Sequence, residues 1–212
     1  MRFDDRRQAG VALGERLEEL GPHRPLVLAL PRGGVPVGYE VSLALECDLD
    51  VLLVRKIGVP WQPELAMGAA AEGGVVIRNQ VILDLAGVDE SAFQLALAEA
   101  SATLAQRASL YREDHPPIDP VDRTALVVDD GLATGATALA AVESLRARGA
   151  GEVWICVPVA PADTVRAMET VADRVVVLHV PKRFNAVGAW YRDFAQTDDD
   201  QVKALLSRSR LR

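Results

Sequence analysis

The run Val127-Val128-Asp129-Asp130-Gly131-Leu132-Ala133-Thr134-Gly135-Ala136-Thr137 combines two carboxylates, two glycines and two hydroxyls within one short stretch. Its apolar start and the helical pattern after it place it between a strand and a helix, the junction where open α/β sheets bind ligands. Gly131 and Gly135 permit backbone geometry closed to other residues. Successive N–H groups of Ala133, Thr134, Gly135, Ala136 and Thr137 can then converge on an anion at a helix N-terminus. Thr134 and Thr137 add hydroxyl donors. Asp129 and Asp130 would repel a phosphate but accept hydrogen bonds from neutral hydroxyls. A sugar with vicinal hydroxyls and a terminal phosphate fits this layout. The run lacks the Gly-Lys-Ser/Thr ending of a nucleoside-triphosphatase loop.

Two further groups fall at strand ends predicted to share that edge. Pro31-Arg32-Gly33-Gly34 follows the apolar run Leu26–Leu30. Arg32 offers a planar fork for phosphate oxygens, and Gly33 and Gly34 let backbone N–H groups approach. Arg55 and Lys56 follow Val51–Val54 and could offset charge on a departing anion. The chain is poor in aromatics, yet Phe184, Trp190, Tyr191 and Phe194 crowd together. Phe184, Trp190 and Tyr191 could stack on a planar acceptor. His23, His115 and His179 form no triad or metal pattern, and no direct metal ligand is expected.

The elements that must position these groups can be read from periodicity. Asp5–Leu20 places Ala9, Leu13, Leu17 and Leu20 on one helical face, and Gly21-Pro22 ends it. Leu26–Leu30 and Val51–Val54 read as strands buried on both sides, flanking a helix that starts near Pro36. Ile57–Gly74 carries several Gly and Pro residues without a period and reads as a mobile loop. Val75–Ile77 and Val81–Leu83 read as short strands, and Asp89–Glu113 as a long helix capped by Asp89. Strands at 125–128, 153–159 and 175–178 alternate with helices at 137–148 and 162–172. An irregular aromatic stretch, 181–194, precedes a last helix, 198–206. The alternation predicts a doubly wound, mainly parallel α/β sheet in one domain over residues 1–212.

The bulk numbers agree. The 212 residues are 50% hydrophobic and 25% charged, enough for one filled core. A net charge of -7 disfavours a nucleic-acid partner held by bulk electrostatics. No apolar run suggests a membrane span, and the charged start is unlike a leader peptide, so a cytoplasmic protein without a membrane partner is expected. Cys47 and Cys156 sit in apolar contexts and read as reduced core residues.

The Asp129–Thr137 string resembles the phosphoribosyl pyrophosphate signature of type I phosphoribosyltransferases, and the α/β order extends the likeness over roughly Leu26–Leu178. Leu30–Val37 and Phe184–Phe194 resemble most a group of uncharacterised bacterial phosphoribosyltransferase-like proteins. The resemblance implies that Asp129 and Asp130 hold the ribose hydroxyls and that Ala133–Thr137, with Gly131, wraps the 5-phosphate. It implies that Arg32, Gly33 and Gly34 form the pyrophosphate loop, with a cis peptide before Arg32; Arg55 and Lys56, by their place at the same edge, would serve the same pyrophosphate. It also implies a flexible lid near residues 55–78, a base-selecting hood near 180–212, and Mg²⁺ bound mainly through substrate. Members acting on 6-oxopurines usually carry Asp where this chain has Ala133, which argues against hypoxanthine and guanine. The implied reaction transfers a phosphoribosyl group to a nitrogenous acceptor with release of pyrophosphate. A non-catalytic sensor of the same ligand is the alternative, and the oligomeric state, a homodimer included, is left open.

Overall fold

Period-two alternation along the strands splits the apolar residues between two cores, and this organises the molecule. The computed structural model describes residues 2–112 and 116–211. Its central sheet holds β1 (Pro25–Ala29), β2 (Asp48–Val51), β6 (Thr124–Val128), β7 (Glu152–Val159) and β8 (Arg174–His179), in the order β2-β1-β6-β7-β8. Every pairing in it is parallel. Val27, Ala29, Leu126, Val128, Trp154 and Cys156 face one core with α1 (Arg6–Leu20) and α2 (Gly34–Ala44). Leu26, Leu28, Ala125, Val127, Val153 and Ile155 face the other with α5 (Ala136–Ala147) and α6 (Ala162–Met168). Helices on both faces bury such strands completely, so their sequences read as unbroken apolar runs. The fold is the expected doubly wound α/β sheet.

A second sheet departs from expectation. Val54 does not continue β2. It opens β3 (Val54–Val59), which pairs antiparallel with β4 (Gln62–Ala71), and β4 pairs with β5 (Val75–Arg78). The Val51–Val54 run therefore spans two strands of two sheets, joined where Leu52 N–H donates to Ala29 O (2.9 Å) and Glu72 N–H to Leu53 O (3.0 Å). The segment expected as an irregular lid is a hairpin, with a register shift at Gly58. Ile57, Val59, Met67 and Ala70 anchor it in the first core with Phe93 and Leu104 of α4 (Glu90–Arg112).

Val81–Leu83 lies in α3 (Gln80–Ala86), not a strand. Asn79 Oδ1 accepts the Ile82 N–H (3.2 Å), and left-handed Gly87 closes the far end. These caps outweigh an apolar triplet too short to show a period. The remaining helices follow expectation within a few residues, and Glu113 and His115 lie outside the described residues. The last helix, α7 (Asp199–Arg210), buries Val202 and Leu206 and packs on α2 and β2. Its packing makes it part of the core. Among the described residues no helix is long and apolar enough to cross a membrane.

Candidate active site

The strand order reverses between β1 and β6. The chain proceeds from β1 to β2 on one side and from β6 to β7 on the other. Ala29 is in register with Val128, and Leu30 N–H donates to Val128 O (2.8 Å). The Pro31-Arg32 turn and the Asp129-Asp130 pair therefore leave the sheet side by side. Such a crevice at a topological switch point is the expected ligand site of an open α/β sheet.

The loop after β6 is held from outside and open within. Leu132 N–H donates to Val159 O (2.9 Å), and Thr164 Oγ1 donates to Ala133 O (2.6 Å). Gly135 takes a left-handed φ of 76° and starts α5. Among the described residues, no N–H of Ala133, Thr134, Gly135, Ala136 or Thr137 has an acceptor within the chain. Thr134 and Thr137 are exposed. Five unpaired donors at a helix N-terminus form an anion cradle. Gly131 lies outside it: a Cβ there would stand 2.7 Å from Val187 Cγ1 and 2.9 Å from Val159 Cγ1. Its glycine serves close packing.

Asp129 Oδ1 accepts the Asp130 N–H (2.8 Å). Burial, and then the neighbouring Asp130 charge, push the Asp129 carboxyl well above the usual carboxylate range. Burial also raises Asp130, against the pull of Arg6. Arg6 Nε donates to Asp130 Oδ2 (2.8 Å), Arg6 Nη1 donates to Ala195 O (2.7 Å), and its guanidinium lies 3.9 Å over the Phe194 ring. The sequence reading missed Arg6. The available signal was a basic residue in the first turn of α1, where the helix dipole disfavours it.

The peptide between Pro31 and Arg32 is cis, as the resemblance implied. Glycine at positions 33 and 34 also permits close packing. A Cβ on Gly33 would stand 2.1 Å from Asp130 Oδ2, and one on Gly34 2.5 Å from Val128 O. The Gly34 N–H already donates to Leu30 O (3.0 Å) and is not free for a ligand. Arg32 is partly exposed, with Nη1 3.8 Å from Asp199 Oδ2 of α7.

Arg55 and Lys56 lie in β3 instead of ending β2. Both still line a cavity of about 300 Å³ with Pro31, Thr137 and Arg107 of α4. Arg107 was not anticipated, because nothing in a long surface helix marks which residue will face a cleft. Lys56 Nζ lies 3.2 Å from the exposed Glu64 Oε2.

The aromatic cluster divides. Tyr191 is buried (1% exposed), packs between Phe3 and Phe194, and donates its hydroxyl to Asp130 O (2.6 Å). It offers no open ring face, which corrects its assignment as a stacking residue. Phe184 and Trp190 are half-buried, and Trp190 packs on His179 at 4.8 Å. Cys47 and Cys156 are free thiols.

Residues 7–190 match the family model described as a phosphoribosyl transferase domain. A Mycobacterium tuberculosis H37Rv protein whose name assigns it provisionally as a phosphoribosyl transferase is 46% identical over 207 residues. That alignment covers 98% of this chain and 47% of the relative, so the chain spans about half the relative's length. The crystal structure of TT1426 from Thermus thermophilus superposes with a TM-score of 0.92 at 43% identity, covering 98% of this chain and 99% of that one. A hypoxanthine-guanine phosphoribosyltransferase from Bacillus anthracis shares the fold at a TM-score of 0.51 and 9% identity, covering 86% of this chain and 84% of that one.

Proposed function

This chain belongs to the phosphoribosyl transferase family, and we propose that it moves the 5-phosphoribosyl group of phosphoribosyl pyrophosphate onto a nitrogenous acceptor, releasing pyrophosphate. The observation that carries the reading is the set of unpaired N–H groups at Ala133–Thr137, adjoining the Asp129–Asp130 pair at the switch point. The cradle suits the 5-phosphate, with Thr134 and Thr137 adding hydroxyl donors. The acid pair suits the ribose hydroxyls. The cationic wall of Arg55, Lys56 and Arg107 suits the diphosphate, with Arg32 at its border.

In this reading no side chain attacks the sugar. The C1–O bond to pyrophosphate breaks as the acceptor nitrogen bonds to C1, and the electron pair leaves with the pyrophosphate oxygen. Fixed cations beside the diphosphate favour that departure more strongly than mobile solvent would. Asp129 and Asp130 orient the ribose and stabilise positive charge developing on its ring. The cavity wall offers cations and a hydroxyl instead of carboxylates, which fits Mg²⁺ held by diphosphate oxygens and water rather than by a protein cage. When bound, that ion supplies further positive charge to the leaving group. Phe184 and Trp190 remain the residues proposed to meet a planar acceptor.

The test is calorimetry with phosphoribosyl pyrophosphate and Mg²⁺, followed by pyrophosphate release with a panel of nucleobases and amines. Donor binding followed by acceptor-dependent release supports the transferase. Donor binding without release under any acceptor moves the reading to a ligand sensor. No binding of the donor overturns both.

A further inference from the structure

The acid pair is held by a residue that belongs to neither the phosphate loop nor the pyrophosphate turn. We propose that Arg6 is a positioning residue for this reaction: it fixes the Asp130 carboxylate against Gly33 and ties it to the hood through Phe194 and Ala195. The inference rests on the phosphoribosyl reading of the site.

Three contacts converge on one guanidinium. Its Nε donates to Asp130 Oδ2, its Nη1 to Ala195 O, and its face covers the Phe194 ring. The Arg6 and Asp130 side chains are only 12% and 14% exposed, so their attraction is little screened. The helix carrying Arg6 is seated closely on α2, since a Cβ on Gly10 would stand 2.7 Å from Val37 O. Arg6 is therefore presented by a rigid element. Its first-turn position in α1 is electrostatically unfavourable, and the paired carboxylate offsets that cost.

Two carboxylates side by side face an incoming ligand that is itself strongly anionic. The groups around Asp130 are Asp129 on its own loop, Arg6 from α1 and the Tyr191 hydroxyl from the hood. The facing turn presents Gly33 to Asp130, while its Arg32 lies 3.8 Å from Asp199 of α7. Among the described residues, Arg6 is the cation hydrogen-bonded to this pair. Without it, burial would raise the Asp130 carboxyl further, and the protonated form is a poorer acceptor for ribose hydroxyls. Tyr191 grips the Asp130 carbonyl and packs on the same Phe194 ring that Arg6 covers, so backbone and side chain of Asp130 share one support.

The experiment compares Arg6→Met, Arg6→Gln and Arg6→Lys with the unaltered chain by calorimetry against ribose 5-phosphate and pyrophosphate at neutral pH, with melting curves. Arg6→Met should weaken ribose 5-phosphate at neutral pH by roughly tenfold or more, on the scale of one lost charge-assisted contact. Pyrophosphate affinity should change by less than about twofold. Arg6→Lys should restore part of the ribose 5-phosphate affinity. If the Met variant fails to fold, Arg6→Gln carries the same expectations. Unchanged ribose 5-phosphate binding in a folded neutral variant overturns the inference. So does a loss shared equally by both ligands. If the unaltered chain binds no ribose 5-phosphate, the phosphoribosyl reading fails and the inference with it; if it binds and the neutral variants match it, only the inference fails.

Discussion

Asp130 Oδ2 lies 2.1 Å from the point where a Cβ on Gly33 would stand, so the first turn after β1 and the acid pair after β6 share one packed surface. Gly33→Ala cannot be accommodated without moving the Asp130 carboxylate. The variant should remain folded and lose ribose 5-phosphate affinity by roughly tenfold, the scale of a displaced charge-assisted hydrogen bond. Calorimetry beside a melting curve checks this. An unchanged affinity would show that Asp130 does not contact the ligand in the orientation seen.

Asp129 makes a pH-dependent contribution of defined sign. Its folded carboxyl titrates well above its ordinary value of 3.8. Such a group favours the native state while protonated, fully so below the unfolded value, and that benefit is lost as pH rises through the folded value. Asp129→Asn stays neutral and keeps an oxygen for the Asp130 N–H. The melting temperature of Asp129→Asn minus that of the unaltered chain should therefore increase from about pH 4 to about pH 8. A difference that stays flat over that range would place the Asp129 titration elsewhere.

Arg112 should be a stability residue with no direct part in ligand binding. At the end of α4 it pairs with Asp50 of β2 and with Glu72, which follows β4, and donates to Val51 O (2.9 Å). It is 7% exposed and Asp50 is 1% exposed. Arg112→Met leaves buried carboxylates uncompensated and should cost about 3–5 kcal/mol. Adding Asp50→Asn should recover part of that loss. Urea denaturation of the two variants tests both statements, and additive losses would contradict the pairing.

The β3–β4 hairpin should be protected without ligand. Its antiparallel register runs from Val54–Ala71 to Val59–Gln62, with Ile57 and Met67 buried. Hydrogen exchange should be slow at Arg55–Ile57 and Met67–Ala71 and fast at Pro60–Gln62 around the exposed Trp61. Met67→Ala should destabilise the chain by about 2–5 kcal/mol. Rapid exchange throughout 55–71 in the free protein would restore the mobile-lid expectation.

The donor loop was legible because its meaning is local. Asp129–Thr137 sits between an apolar strand and an Ala-rich helix, and neighbours along the chain suffice to orient its N–H groups. The hairpin was not legible. β4 is buried continuously over Met67–Ala71 by small residues, so the alternation that marks a half-exposed strand is missing, and Gly58, Pro60 and Pro63 imitate a loop. The Val51–Val54 run hid a change of sheet for the same reason, since unbroken apolar character fits either one.

The sequence by itself determined the alternating α/β order, the doubly wound class and the glycine-bearing loop with its acidic pair, because each is written in spacings of a few residues that backbone geometry converts directly into structure. Tertiary structure alone decided that Arg6 meets Asp130 across 124 positions, that Tyr191 turns its hydroxyl to the Asp130 carbonyl instead of its ring to a ligand, and that Arg107 joins Arg55 and Lys56 around one cavity. Those meetings depend on strand order and helix packing. A charged or aromatic side chain carries no local mark of its partner until the sheet brings distant segments together.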